Sequence, residues 1–224
     1  MNIKTLALPL FIFALCFSAS AQTVKWDSTY RPANYAQRVA NFHSYPNSPK
    51  DIIFLGNSIT DFTDWNELLQ LPQARNRGIS GDITFGVLER LDEVTEGKPA
   101  KVFILIGIND ISRNIPDLVI LDNYKKIIHS IKKESPKTRI YFNTLLPVNN
   151  SFPDRAHFNK DEHIQTINDG LKKLVTSEKI TVIDIHPHFL DADKKLDKRF
   201  TYDGLHLNAE GYKKWAILLK PFLR

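Results

Sequence analysis

Short apolar runs alternate with longer amphipathic stretches from Ile52 to the C-terminus, and this alternation constrains the fold more than any other feature of the chain. Ile52-Ile53-Phe54-Leu55 is wholly apolar and ends at Gly56. Val102-Phe103-Ile104-Leu105-Ile106 is the strongest such run and ends at Gly107. Runs this short, apolar at every position, suit parallel strands buried between two helical layers. Residues 74–77, 139–143 and 180–185 supply three further strands. Between the strands the spacing predicts helices over 63–71, 83–94, 116–133 and 160–176, and a last helix over 208–223. In 116–133, Leu118, Leu121, Tyr124, Ile127, Ile128 and Ile131 fall at helical spacing, with Asp117 in the first turn. Pro72 stops the first of these helices, and Asn208 is a cap for the last. Strands that alternate with helices give an α/β domain with a parallel sheet.

The chain has 224 residues, which suits one well-cored domain. Its first residues read separately. Met1 to Lys4 is short and basic, Leu6 to Phe17 is almost entirely apolar, and Ser18-Ala19-Ser20-Ala21 offers small residues before Gln22. Those are the three regions of a secretory signal peptide, so residues 1–21 are expected to be removed and the protein exported, to a periplasmic or extracellular location. An uncleaved anchor would need a longer apolar stretch, and a lipid anchor at Cys16 is disfavoured by the large Leu15 before it. Cleavage removes the only cysteine, leaving no thiol, disulfide or cysteine metal ligand. Residues 22–50, with Pro32, Pro46 and Pro49, read as a lead-in that wraps the domain and carries one helix near 33–42; residues 51–224 form the domain itself.

Net charge is +5, and loss of Lys4 leaves +4. The densest basic stretch, Lys194, Lys195, Lys198 and Arg199, is interleaved with Asp191, Asp193 and Asp197. A solvated loop is the better reading, and no nucleic-acid partner is expected. Beyond the signal segment no stretch approaches the ~20 apolar residues of a membrane span, so no stable membrane insertion is expected after cleavage.

In open parallel sheets, ligands sit beyond the carboxyl ends of the strands. Four short segments fall near there: Gly56-Asn57-Ser58-Ile59, Gly78-Ile79-Ser80-Gly81-Asp82, Gly107-Ile108-Asn109-Asp110, and Asp203-Gly204-Leu205-His206 before the last helix. A serine hydroxyl attacks only when a base takes its proton, and histidine suits that task near neutral pH. Asp203, three residues before His206, can reach one ring nitrogen and leave the other to Ser58. An oxyanion needs donors already aimed at it, and the backbone N–H of Ser58, the backbone N–H of Gly81 and the side-chain amide of Asn109 are the candidates. Thr60 stands where the Gly-x-Ser-x-Gly elbow needs its second glycine, which disfavours the α/β-hydrolases. Each segment alone has an ordinary structural reading as a cap or turn; their order at successive strand ends favours one catalytic site.

At these residues the chain resembles the SGNH hydrolases, also called GDSL esterases and lipases, from about residue 51 to the C-terminus. The resemblance implies a flavodoxin-like, three-layer α/β/α sandwich with a five-stranded parallel sheet. It implies Ser58 as nucleophile, Asp203 and His206 as its triad partners, Gly81 and Asn109 as oxyanion donors with Ser58, and no cofactor. Asn57 replaces the aspartate common in the first block; it removes a charge beside the nucleophile while keeping an acceptor oxygen.

Within that family the chain resembles the compact, secreted branch of carbohydrate acetylesterases and platelet-activating-factor-type acetylhydrolases, which implies a short acyl group, acetyl, on a small-molecule or polysaccharide ester. Export and the lack of a long apolar lid also favour an O-acetylated carbohydrate over bulk lipid. A lysophospholipase or thioesterase acting on a longer chain is the alternative enzyme, and an apolar groove under residues 145–158, the expected specificity loop, would mark it. A non-catalytic carbohydrate-binding module is the reading from another class. Trp65 and Tyr202 are candidate platforms for a sugar ring, with wall packing the bland reading. Asp184, His186 and His188 invite a metal, but a Pro187-straddling histidine pair on a loop is read as structural, and no metal is expected. The sequence leaves the oligomeric state open.

Overall fold

The computed structural model describes residues 25–223, so the expected signal segment lies outside the described residues. After helix α1 (Tyr35–Ser44) the elements run β1 (Ile52–Gly56), α2 (Ser58–Asp61), α3 (Trp65–Leu69), β2 (Ala74–Gly78), α4 (Thr84–Glu89), α5 (Leu91–Thr95) and β3 (Lys101–Leu105). There follow α6 (Ile108–Ser112), α7 (Asp117–Glu134), β4 (Arg139–Asn143), α8 (Asp161–Glu178), β5 (Thr181–Ile183) and α9 (Ala209–Leu223). The strands form one all-parallel sheet in the order β2-β1-β3-β4-β5. This is the expected α/β sandwich with flavodoxin-like order, and its topological switch point lies between β1 and β3.

The strands pair level, Gly56 opposite both Gly78 and Leu105, so the loops after β1, β2 and β3 start at one height. One sheet face is aromatic. Phe54, Phe103 and Tyr141 are register partners on β1, β3 and β4 and stack in a row at 5.2 and 4.6 Å. Trp65 of α3 continues the row at 4.1 Å from Phe54, and Phe222 of α9 closes it at 5.8 Å from Tyr141. Stacked rings on neighbouring strands add favourable contact to the area they bury. On the other face α7 packs between α4, α5 and α8, with Tyr124 tilted over Phe142 at 5.0 Å.

Several boundaries differ from the sequence reading. The helix expected over 63–71 is present but shorter, as α3, and the additional short helix α2 precedes it, beginning at Ser58 itself. The helix expected over 83–94 is broken at Arg90, whose backbone (φ −112°, ψ 19°) leaves the helical region. Arg90 is wholly buried and turned inward to an ion-pair cluster, a tertiary demand that overrides local propensity. Helix α6 was not expected, and β5 is shorter than the run that suggested it. Asn208 does cap α9, its Oδ1 accepting the Gly211 N–H at 3.0 Å.

Candidate active site

Ser58 follows β1 by two residues. Gly56 ends that strand where an added Cβ would lie 2.3 Å from both Leu105 O and Thr60 Oγ1, so the chain turns in tight contact with β3. Asn57 then folds its side chain back, Oδ1 accepting the Ile59 N–H at 3.1 Å, which starts α2 at Ser58. The amide oxygen therefore does the capping work that a carboxylate would do, while Asn57 Nδ2 has no hydrogen-bond partner among the described residues.

The last segment meets Ser58 from the other end of the chain. Ser58 Oγ lies 2.9 Å from His206 Nε2, and His206 Nδ1 lies 2.7 Å from Asp203 Oδ2. Asp203 Oδ1 accepts the backbone N–H of His206 at 2.7 Å and of Leu205 at 3.0 Å. Burial alone would raise this carboxyl. The hydrogen bonds from the His206 ring and from the His206 and Leu205 backbone outweigh burial and hold it below its ordinary range. Arg155 adds a further contact, Nη2 to Asp203 Oδ2 at 2.9 Å. The turn depends on Gly204, at φ +80°, where a Cβ would lie 2.4 Å from Asn149 O. Asn149 N–H donates to Gly204 O at 2.8 Å, so the loop of residues 145–158 is fastened to this turn.

Gly81 follows β2 at φ +83°. Its backbone N–H, like that of Ser58 at the first position of α2, has no hydrogen-bond acceptor among the described residues. An added Cβ would lie 3.3 Å from Pro32, so the lead-in segment passes directly beside this glycine. Asn109, in α6, donates Nδ2–H to Asp82 O at 2.9 Å, which leaves one Nδ2–H unspent. Beneath the site Arg90 joins the segments: it donates to Gly56 O (3.2 Å) and Arg77 O (3.0 Å) and pairs with Asp82 (3.0 Å) and Glu93 (2.9 Å). Arg77 pairs with Glu93 at 2.9 Å, so two buried cations meet two buried anions. Asp110 is sealed on the far side of Asn109. Both of its oxygens accept the Thr84 N–H, and one accepts the Thr84 hydroxyl at 2.5 Å. Burial pushes its carboxyl up to about 7 against these hydrogen bonds.

All five residues singled out from the sequence thus lie at strand ends on one edge of the sheet or in the turn that meets it. Three neighbours escaped the sequence reading. Arg155 touches Asp203, His157 Nε2 lies 3.0 Å from Asn109 Oδ1, and the ring of Phe62 lies 5.1 Å from that of His206. His157 and Arg155 sit in the loop already marked by its prolines and asparagines, the one signal that pointed to them. Tyr202 is 57% exposed and stacks on His206 at 6.0 Å. Of the two readings of Trp65, the structure selects wall packing over a sugar platform. The side chain is 1% exposed, stacked on Phe54 and donating Nε1–H to Thr60 O, because α3 must cover the aromatic face of the sheet.

His186 Nδ1 lies 2.8 Å from Leu145 O and supports the same loop. Among the described residues no group of three or more His, Cys, Asp or Glu is placed to hold a metal. A depression of about 460 Å³ lies beside His186, Asn168 and Lys172, and none of the Ser58, Asp203 or His206 side chains lines it. The apolar space between residues 145–148 and Asn57 and Ile59 is different: it holds only about 10 Å³, and Ser58 does not line it.

The family model for GDSL-like lipases and acylhydrolases matches residues 54–214. The alpha1 subunit of platelet-activating factor acetylhydrolase IB from Rattus norvegicus is 27% identical over 169 residues, 72% of this chain and 70% of that one. A solved Streptococcus pneumonia protein, provisionally described as a platelet activating factor, superposes with a TM-score of 0.79 at 29% identity, over 85% of this chain and 93% of its own. An acetyl xylan esterase, AlAXEase, shares the fold with a TM-score of 0.66 at 21% identity, over 78% of this chain and 100% of its own. The matched residues contain all four segments around Ser58, and the chain belongs to the GDSL-like lipase/acylhydrolase family, whose members are ester hydrolases.

Proposed function

We propose that this esterase removes an acetyl group from an O-acetylated carbohydrate through an acyl-enzyme on Ser58. The observation that carries the reading is the continuous relay Asp203–His206–Ser58, at 2.7 and 2.9 Å, on the carboxyl edge of the sheet. Ser58 Oγ attacks the ester carbonyl while His206 Nε2 takes its proton. Asp203 holds the ring so that Nε2 faces the serine, and it stabilises the imidazolium. The carbonyl oxygen, now negative, takes hydrogen bonds from the Ser58 N–H, the Gly81 N–H and the remaining Nδ2–H of Asn109. His206 returns the proton to the leaving alcohol, then activates water to release acetate.

The names of the related proteins support a short acyl group. The mammalian relative is by name an acetylhydrolase, and a fold neighbour is by name an acetyl xylan esterase. Exposed Tyr202 and Phe62 beside His206 favour a ring-shaped alcohol over bulk lipid, since sugars stack on aromatic faces. The protein is read as exported, with residues 1–21 removed before it acts; the chain isolated from an expressing cell then begins at Gln22 by mass.

Purified chain lacking residues 1–21 is expected to release acetate from p-nitrophenyl acetate and from acetylated xylan or sugars, with little activity on a long-chain p-nitrophenyl ester. Ser58→Ala should lower the turnover number by ~10³-fold or more. Equal rates for wild type and Ser58→Ala would remove the catalytic reading, and preference for the long-chain ester would favour a lysophospholipase or thioesterase instead.

A further inference from the structure

A carboxamide can turn over with little change in shape, and only one of its two orientations serves an oxyanion. With Nδ2 toward the site, Asn109 offers a donor. With Oδ1 there, it offers a lone pair that repels the developing charge. Two contacts bear on the choice. Asp82 O accepts from Nδ2 at 2.9 Å, and His157 Nε2 stands 3.0 Å from Oδ1.

The His157 contact fixes the amide only if Nε2 carries the proton. His157 Nδ1 is buried and has no hydrogen-bond partner among the described residues. A proton on Nδ1 would be a buried, unpaired N–H. It would also turn Nε2 into an acceptor facing an acceptor oxygen. A bare Nδ1 leaves only a lone pair unsatisfied, while Nε2–H meets Oδ1. The surroundings therefore select the Nε2–H tautomer. Burial, aided by the nearby His206, Arg155 and Arg113, lowers the ring to about 4, so at neutral pH this tautomer question has to be answered by a neutral imidazole.

We propose that His157 is a positioning residue that holds the Asn109 amide by donating Nε2–H to Oδ1, so that the free Nδ2–H stays aimed at the oxyanion. This rests on the oxyanion role proposed above for Asn109. His157 itself touches no reacting atom. It reaches Asn109 from the loop of residues 145–158, which also brings Arg155 to Asp203 and Asn149 to Gly204. One loop thus steadies both the acid of the triad and a donor of the oxyanion hole.

The test uses His157→Met, which fills the space without a donor, and His157→Gln, which keeps an N–H, each in wild type and in an Asn109→Ala background. Misaligning one preorganised donor should lower the kcat for p-nitrophenyl acetate ~10- to 100-fold in His157→Met, with KM changed less than ~2-fold. His157→Gln should recover to within ~3-fold of wild type. In the Asn109→Ala background, neither substitution should change kcat by more than ~2-fold, because there is no amide left to orient. The proposal is overturned if Gln is no better than Met, if the loss appears in KM, or if the same factor persists without Asn109. An Asn109→Ala variant with unchanged kcat would instead strike down the oxyanion reading beneath it, and a damaged Asn109→Ala beside inert His157 variants would strike down this proposal alone.

Discussion

Asp203 and Asp110 are two aspartates that stand at the ends of motif segments at the same edge of the sheet, and their surroundings drive them apart. Asp203 sits on an accessible turn and is ringed by donors: the His206 ring, two backbone N–H groups and Arg155. They keep it charged. Asp110 is fully buried, is held by the Thr84 N–H and hydroxyl, and is pushed up to about 7 by burial. One carboxylate is placed where a charge is useful to an imidazolium. The other is placed where a charge is costly, and serves as a clasp between α6 and the start of α4. On the proposed mechanism the same residue type is a chemical group in one region and a structural one in the other, and the balance of burial against donors sets the two apart.

Substitutions can break that contrast. The largest effect is expected from Asp203→Asn, which keeps the shape, favours the wrong ring tautomer and should lower kcat ~10⁴-fold with little change in melting temperature. Asp110→Asn should leave kcat within ~10-fold and act on stability instead. If both variants lost activity equally in a steady-state assay, the division of roles would be wrong.

The second contrast is in pH. Asp110 is raised from its ordinary 3.8 to about 7, so the folded chain holds a proton that the unfolded chain has released. Its contribution to stability is full below about pH 4 and is lost as pH rises toward 7. Asp203 is lowered, so its contribution is present above about pH 4 and is lost as pH falls. Denaturant titrations between pH 5 and 7 should show wild type losing about 2 kcal/mol more than Asp110→Asn over that interval. Parallel curves for the two proteins would contradict the raised value.

The smallest effect is expected at Arg155. It is an additional partner for Asp203, but its side chain is 40% exposed, and exposed ion pairs contribute little. Arg155→Gln should reduce kcat less than ~5-fold, with the difference shrinking further in 0.5 M salt; a loss near that of Asp203→Asn would make Arg155 part of the triad's core.

Much of this was legible in the sequence because the residues that carry chemistry abut strand ends, where a run of apolar residues announces what comes next. Ser58 and Asn109 follow Gly56 and Gly107 within two residues, and Asp203 reaches His206 within one turn. His157 was not legible. It meets Asn109 across 48 residues, from a loop with no periodicity to say which side chain turns inward. Trp65 was ambiguous for a related reason: its nearness to Ser58 in the chain says nothing about which side of α3 faces the sheet, and the aromatic row claims it. The break at Arg90 was hidden because it answers to tertiary partners, Asp82, Glu93 and two strand-end carbonyls.

The relay joins residues 148 positions apart, and the Tyr212 hydroxyl on α9 closes nearly the same span by donating to Ile59 O at 2.9 Å. A chain of this topology gains its most distant contacts last or nearly so, because each long closure must be offset by contacts that already exist. The proposed nucleophile and its base therefore meet late in the folding reaction. Hydrolysis becomes a clock for its completion: in refolding experiments the return of turnover should lag the return of helical signal, and a simultaneous return would mean that the two ends dock early.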